Sequence, residues 1–284
     1  MPNTNTRWDW QIDNRTSFWG QNISEIWAYR NLLTGLIRRY FLLNYQQTIL
    51  GPLWLLFQPV MTLITYVLVF NKLVGITTGT LPPVVFYASG IVLWNFFSDS
   101  FTGTSSTFKD NAQLFNKVYF PRIIMPLSVV STHFLRFLLQ LLMFMSIILY
   151  YALLSDFQLN ITPWILAMPL AVMLIGALGL GLGMIFSVIT AKYRDLSNLV
   201  ALGIRLLMFV TPVIYPMVAI PEKLRWIVLA NPLTPLFEFF RFSLLGEGYF
   251  TLLHLIYSIV VTGLILLGAV TMFNKQGDRL IDVV

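Results

Sequence analysis

Residues Trp164 to Ile189 read WILAMPLAVMLIGALGLGLGMIFSVI, and this run of 26 residues contains no charged side chain. The hydrocarbon core of a bilayer is about 30 Å thick, and roughly 20 apolar residues of helix are needed to cross it. A second run, from Thr251 to Phe273, is equally apolar and also lacks charged residues. Both runs predict transmembrane helices, so the chain is predicted to be an integral membrane protein.

Further apolar segments recur along the 284 residues, of which 57% are hydrophobic and 11% charged. A soluble domain carries about 25% charged residues. The predicted spans are 53–73, 84–104, 123–152, 164–189, 199–218 and 250–273. The predicted fold is therefore an all-α bundle of six transmembrane helices, with both termini on the same side. Residues 1–50 precede this domain (51–273), and residues 274–284 form a tail.

Lysine and arginine are unevenly shared between the two sides of the predicted bundle. On the side of the termini stand Arg7, Arg15, Arg30, Arg38, Arg39, Lys109, Lys117, Arg122, Lys192, Arg194, Lys275 and Arg279. The opposite side holds Lys72, Lys223, Arg225 and Arg241. The excess predicts that both termini are cytoplasmic. The net charge of +6 reflects the same excess of lysine and arginine, which would face anionic membrane lipid. No nucleic acid partner is therefore needed to explain it.

The segment from Ser24 to about Tyr45 has the pattern of an amphipathic helix. One stripe is formed by Ile26, Tyr29, Leu33, Leu36, Ile37 and Tyr40, and another by Asn31, Thr34 and Arg38. We expect a helix that lies along the cytoplasmic face of the membrane. A polar tether ahead of the first span is the alternative. Gly51-Pro52 then breaks the chain and begins the first span.

The connection 108–122, between the second and third predicted spans, alternates polar and apolar residues. A short amphipathic helix closed by Pro121 fits this pattern. An ordinary loop is the alternative. Such a loop would not usually expose the apolar residues of this stretch together, so a docking surface for a soluble partner is favoured. These apolar residues are Leu114, Phe115, Tyr119 and Phe120.

Five prolines, at positions 212, 216, 221, 232 and 235, interrupt the region 212–248. Between them, Lys223–Ala230 and Leu233–Leu245 are apolar but too short to cross a bilayer. They predict two half-helices that re-enter the outer leaflet within a gate segment, 220–246. Irregular backbone at that depth must be buried in protein or must line a water-filled cavity, so the pattern indicates a transport pathway.

Charges inside predicted spans are costly in a bilayer and are candidates for function. The candidates are Asp99, His133, Arg136 and Arg205. One interpretation is a polar lining for an anionic headgroup near the inner leaflet. The alternative is that Arg205 snorkels to the interface and that an Asp99–Arg136 pair only joins two helices. The many aromatic residues inside the spans also have two interpretations. They either pack within the bundle or line a path for a sugar.

Catalytic and cofactor patterns are absent from the sequence. It contains no cysteine, no GxxxxGK[ST] phosphate-binding loop and no histidine or carboxylate spacing typical of a metal site. Only one carboxylate, Asp99, falls inside a predicted span, which disfavours ion-coupled transport. If the chain transports actively, another polypeptide is expected to supply the energy.

Four groups of short motifs follow one another in a fixed order. They are Arg39-Tyr40, Tyr45-Gln46-Gln47, Leu50-Gly51-Pro52-Leu53-Trp54 and Gln58-Pro59; then Lys117-Val118-Tyr119-Phe120-Pro121-Arg122 and Met125-Pro126-Leu127; then Tyr193-Arg194-Asp195-Leu196; and finally Thr211-Pro212-Val213-Ile214-Tyr215-Pro216, Asn231-Pro232-Leu233-Thr234-Pro235, Glu238 and Arg241. Over residues 25 to 280, this order resembles the permeases of type-2 ABC polysaccharide exporters, a group that includes O-antigen, capsule and teichoic-acid permeases.

The resemblance implies a homodimer of six-span permeases with two copies of an ABC ATPase bound beneath it. ATP and magnesium would bind to that ATPase, so this chain would carry no cofactor and would not itself be an enzyme. The cargo would be a polyprenyl-diphosphate-linked glycan. It would be exported across the bacterial cytoplasmic (inner) membrane.

The resemblance also implies roles for individual residues. Contact with the ATPase would involve Arg30, Arg38, Lys109, Asp110, Asn111, Leu114, Phe115 and Lys117. The glycan path would be lined by Phe57, Tyr66, Tyr87, Trp94, Phe97 and Tyr215. Candidates for binding the lipid diphosphate are Arg39, Arg136 and Arg205, because guanidinium groups pair well with phosphate oxygens.

Two other functions remain open from the sequence. A type-2 permease could export a small hydrophobic molecule or drug, in which case aliphatic side chains would line its cavity. A membrane enzyme, such as a glycosyltransferase or a lipid-processing hydrolase, would need a cluster of catalytic acids. The acidic residues of this chain are too scattered to predict such a cluster.

Overall fold

The structure is a computed structural model that describes residues 23–43, 46, 51–111, 114–115, 120–155, 157–193 and 195–280. These residues form helices and connections, without a strand among them. The helices are α1 Ile23–Ala28, α2 Arg30–Leu43, α3 Trp54–Tyr66, α4 Pro83–Ser105, α5 Thr107–Asp110, α6 Ile124–Leu154, α7 Met168–Lys192, α8 Leu196–Val210, α9 Glu222–Ala230, α10 Leu233–Leu245 and α11 Leu252–Leu280. Shorter helical turns lie at Gly51–Leu53, Val67–Leu73, Pro163–Ala167 and Met217–Ala219. The predicted all-helical fold is confirmed.

Five helical segments in the described ranges are long and apolar enough to cross a bilayer. They are Gly51–Leu73, Pro83–Ser105, Ile124–Leu154, Pro163–Lys192 and Leu252–Lys275. Each matches a predicted span to within a few residues. The first begins at Gly51, as expected from the Gly-Pro pair, and ends in a wide helical turn at Val67–Leu73.

The predicted fifth span is shorter than expected. Helix α8 has 15 residues, which at 1.5 Å per residue gives about 22 Å, less than the bilayer core. The helix ends at Val210 because Thr211 is extended, as is usual for a residue that precedes proline. The prediction of a continuous helix to residue 218 is therefore wrong at its C-terminal end, and the count of six spans stays a prediction.

Helix α4 lies at the centre of the bundle, and most of its side chains are buried. Its main neighbour is α7, whose glycines allow the two backbones to approach closely. A Cβ atom at Gly183 would lie 2.5 Å from the Cβ of Thr104, and one at Gly179 would lie 3.0 Å from that of Ser100. Gly179 and Gly183 of α7 therefore lie at its contact with α4. In contrast, α3, α6 and α11 keep many apolar side chains exposed, as suits contact with lipid or other subunits.

The two short helices predicted between the prolines are present as α9 and α10. Helix α10 is a core element, since every residue from Leu233 to Leu245 except Phe242 is buried. It ends at Gly246, whose φ of 75° provides the left-handed turn that commonly closes a helix. The depth of these helices in a bilayer stays a prediction.

Candidate functional site

The amphipathic N-terminal segment packs against the beginning of α6. The predicted single helix is divided into α1 and α2 by a turn at Tyr29. Leu36 of α2 is buried in one cluster with Phe120, Ile124 and Met125. The apolar stripe of α2 therefore contacts protein along part of its length, and the helix is held beside the segment that joins α4 to α6.

A hydrogen bond joins the same two regions. The Tyr40 hydroxyl donates to Asn111 Oδ1 over 3.0 Å, and Asn111 Nδ2 donates to the Thr107 carbonyl over 3.0 Å. Burial raises the pKa of Tyr40, so its hydroxyl keeps the proton that it donates. Asn111, the residue that follows α5, thus has a direct polar contact with α2. We name the exposed surface formed by Arg30, Arg38, Lys109 and Asp110 on these two helices the coupling surface.

The apolar residues of the 108–122 connection do not form the exposed patch expected from the sequence. Phe120 is buried, whereas Leu114 and Phe115 are half-buried and pack against the α2–α6 cluster. Phe115 stacks on Phe120 with ring centroids 5.7 Å apart. That expectation is wrong because α2, which lies some 80 residues earlier in the chain, covers these side chains. Lys117 and Tyr119 lie outside the described residues.

A polar seam joins α4 to α6 within the membrane region. Asp99 Oδ2 lies 3.9 Å from His133 Nδ1, and the side chain of Asp99 is 49% exposed. Further along the same two helices, Asn95 Nδ2 donates to Gln140 Oε1 over 3.3 Å. Arg136, on the same helix as His133, interacts electrostatically with Asp99. The seam agrees with the interpretation in which intramembrane charges join two helices.

The three arginines suggested for diphosphate binding lie on different helices. Arg39 is exposed on α2, Arg205 is exposed on α8, and Arg136 is half-buried on α6. Their role stays a prediction.

The aromatic residues suggested for the glycan path fall into two groups. Tyr87 and Phe97 are fully buried and Trp94 nearly so, all three within the main apolar core of the described chain. Phe57 is exposed, whereas Tyr66 and Tyr215 are half-buried. The three buried rings contact protein side chains in this conformation. They could reach a passing glycan only if α4 separated from its neighbours, so their lining role stays a prediction.

A buried ion pair within α10 is the strongest polar feature of the described chain. Arg241 Nη1 lies 3.1 Å from Glu238 Oε1, and the two side chains are only 1% and 5% exposed. The side of the membrane on which Arg241 lies stays a prediction, but its side chain is buried in the protein. The i, i+3 spacing of the two charges inside an apolar helix was the signal in the sequence.

Arg241 connects three parts of the fold. Its Nη1 donates to the Pro212 carbonyl over 2.7 Å, and its Nε donates to Ser89 Oγ over 3.0 Å. Its guanidinium lies 3.9 Å from the centroid of the Phe86 ring. Helix α10 is thereby attached to the N-terminal part of α4 and to the segment after α8. We name this group of residues the Arg241 cluster.

Two features keep the Arg241 cluster compact. Gly90 leaves room for the guanidinium, because a Cβ atom there would lie 2.9 Å from Arg241 Nη2 and 2.7 Å from the Val213 carbonyl oxygen. The second carboxylate oxygen of Glu238 accepts a hydrogen bond from the Tyr249 amide over 2.8 Å. The loop after α10 is therefore tied to the same pair.

Comparison with known proteins places these elements in a family context. The ABC-2 type transporter family matches residues 31–245. An "O-antigen export system permease protein RfbA" of Klebsiella pneumoniae is 27% identical over 258 residues, which cover 89% of this chain and 95% of that protein. A protein of the same name from Myxococcus xanthus is 31% identical over 216 residues, or 75% of this chain and 80% of its own. The "Polysialic acid transport protein KpsM" of Escherichia coli is 24% identical over 203 residues, or 70% of this chain and 75% of its own.

Proposed function

The chain belongs to the ABC-2 type transporter family, and we propose that it is the permease subunit of an ATP-driven exporter of a lipid-linked polysaccharide. One observation carries this proposal: similarity to an O-antigen export permease extends over 95% of that protein's length. The five apolar helical segments agree with a multi-pass membrane protein. The named relatives do not favour a small hydrophobic cargo.

The proposal includes partners that this chain needs for transport. Two copies of a separate ABC ATPase bind ATP and magnesium and drive the export, and two permease chains form the membrane part. Both termini face the cytoplasm, in agreement with the distribution of lysine and arginine. The cargo is a glycan on a polyprenyl diphosphate, for which Arg39, Arg136 and Arg205 are candidate contacts.

Helix α4 offers a mechanical link between the two ends of the molecule. It has 23 residues and is therefore about 35 Å long. At one end, α5 follows, and the next residue, Asn111, contacts Tyr40 of α2. Towards the other end, Ser89 holds Arg241. A displacement of the coupling surface by the ATPase would thus be transmitted along a rigid helix to the Arg241 cluster and α10.

Packing supports such transmission. The Phe108 amide donates to Ser187 Oγ over 3.2 Å, and the Phe108 ring stacks on Phe273 at 4.5 Å. Helix α5 is therefore held by α7 and α11 as well as by α2. Close-packed side chains transmit a displacement from one helix to the next, because a protein interior is dense and hardly compressible.

Charge reversal on the coupling surface tests the ATPase contact. We expect Arg38→Glu with Lys109→Glu to weaken copurification of the ATPase by about tenfold, since two attractive contacts at an exposed interface become repulsive. The effect should shrink as salt is raised. Lys275→Glu is the matched control, because it reverses the charge of another exposed lysine on the predicted cytoplasmic side, outside the coupling surface. Equal copurification of the variant and the control would remove this surface from the proposal.

Complementation tests the transport function itself. Deletion of the gene should abolish the surface polysaccharide and leave lipid-linked glycan inside the cell, and the wild-type chain should restore export only together with its ATPase. Immunoblotting of surface glycan and extraction of the lipid-linked pool provide the two measurements. Unchanged surface glycan after deletion would refute the proposed cargo.

A further inference from the structure

A cavity of 430 Å³ opens at the end of the bundle that carries the segments around α10. Three connections form it: the segment Thr80–Pro82 ahead of α4, the end of α6 with the residues that follow it, and the turn from Leu245 to Glu247 after α10. Sites for small ligands have volumes of about 300–1,000 Å³. The cavity is therefore large enough for one or two sugar rings, but not for a polymer.

Four polar side chains around this cavity have no hydrogen-bond partner among the described residues. The side chains of Ser155, Gln158, Asn160 and Glu247 form no hydrogen bond with any other residue that the structure describes. The half-buried rings of Tyr151 and Phe157 complete the lining. Hydroxyl, amide and carboxylate groups beside aromatic rings are able to bind a ligand that has many hydroxyl groups and apolar C–H faces.

The charge of the lining narrows the class of ligand. None of the described residues that line the cavity is a lysine or an arginine, so a phosphate group would find no countercharge there. Glu247 contributes a carboxylate to the described lining. A neutral or amino-bearing sugar suits this set, because its hydroxyl groups can donate to the carboxylate and exchange hydrogen bonds with the amides.

We propose that this cavity binds a single sugar unit of the exported glycan on the extracytoplasmic side of the membrane. The inference rests on the proposed polysaccharide export and adds to it a saccharide site separate from the aromatic residues suggested for the glycan path. A sugar in the cavity contacts the end of α10 and the beginning of α4 together. The Arg241 cluster already joins these two helices, so the bound sugar lies beside the predicted gate.

Saturation-transfer difference NMR tests the site with the permease–ATPase complex in lipid nanodiscs. The probes are the monosaccharides obtained by complete acid hydrolysis of the host's surface polysaccharide, each recognised by its own resonances. We expect transfer to at least one of them, and we expect Gln158→Ala with Asn160→Ala to reduce it at least about threefold, since two hydrogen bonds are lost. Alanine at position 160 keeps the Cβ atom that packs against Gly246, so the turn is preserved.

The matched control is Asn198→Ala, which removes an exposed amide from α8. It should leave saturation transfer unchanged. Absence of transfer with the wild-type complex, or equal transfer with the double variant and the control, would overturn the saccharide site. Surface glycan measured in the same strains separates the two proposals. If export is normal but no sugar binds, only the saccharide site is refuted. If the ATPase does not associate or the surface glycan is unaffected by deletion of the gene, the proposed export function itself is refuted.

Discussion

At the scale of single residues, Arg241 shows how burial changes the meaning of a charge. Its side chain is 1% exposed and meets a carboxylate, a hydroxyl, a carbonyl and an aromatic ring. Removing a charged group from water costs several kcal/mol, about as much as such partners return. The cluster therefore adds little net stability compared with an apolar core, but it holds α10 in one position against α4.

Removal of one member of the pair should destabilise the protein. Arg241→Met leaves the Glu238 carboxylate buried without its partner, and we expect a loss of about 3–5 kcal/mol in the free energy of unfolding. The double variant with Glu238→Leu should recover part of that loss, because no charge then remains buried. Thermal unfolding of the purified protein, followed by circular dichroism, measures both.

Lys223→Ala, an exposed cation on α9, serves as the control and should leave the unfolding midpoint unchanged. If Arg241→Met unfolded at the same temperature as Lys223→Ala, the Arg241 cluster would not hold these elements together.

The aromatic residues show that residue type alone does not predict whether a side chain is buried or exposed. Phe57 and Tyr87 are both aromatic and both lie within predicted spans, yet the first is 44% exposed and the second is fully buried. Tyr87 belongs to the protomer core, where Tyr66 meets it edge to face at 6.3 Å. Of these two residues, Phe57 is accessible from outside the bundle, whereas Tyr87 would become accessible only if α4 moved away from its neighbours.

At the scale of elements, the contact between α4 and α7 depends on the glycines of α7. Gly183→Leu would place a bulky side chain where even a Cβ atom lies 2.5 Å from Thr104. We expect it to lower the free energy of unfolding by at least about 1–3 kcal/mol through overpacking. Gly268→Leu is the matched control on α11, since a Cβ atom there meets nothing within 4 Å.

Both glycine variants can be measured as the fraction of monodisperse protein that survives heating. Gly183→Leu should lose more protein than Gly268→Leu at each temperature. Equal survival would show that α4 and α7 can move apart at no cost, and it would weaken the case for α4 as a rigid link.

Helix α8 and the connection 108–122 show where local sequence patterns were not enough to predict the structure. Apolar character continues past Val210, but Pro212 forces an extended residue before it, and the following segment then serves as a partner for Arg241. In the connection, the amphipathic pattern indicated an apolar face but not the helix that covers it. Both outcomes depend on segments that lie far away in the chain.

At the scale of the whole molecule, the distribution of charge predicts the orientation in the membrane. The chain has no cysteine, so a single introduced cysteine is the only thiol. We expect Thr77→Cys, exposed between α3 and α4, to react with a membrane-impermeant maleimide on intact spheroplasts. Asn198→Cys, exposed at the start of α8, should react only after permeabilisation. Labelling of both positions from the same side would contradict the predicted topology.

The sequence by itself determined the membrane character, the helical class and the approximate positions of the five long segments. A bilayer responds to the hydropathy of each stretch of roughly 20 residues, which is a local property of the chain. The ordered motifs also indicated the family that the comparison confirmed.

Only the tertiary structure decided which polar and aromatic side chains are buried and what they contact. Ser89 and Arg241 are 152 positions apart, and Tyr40 and Asn111 are 71 apart. No periodicity in the chain encodes such pairs, because the surroundings of a side chain are created by the segments that fold against it. The Arg241 cluster, the contact of Tyr40 with Asn111 and the cavity beside the end of α10 all arise in this way.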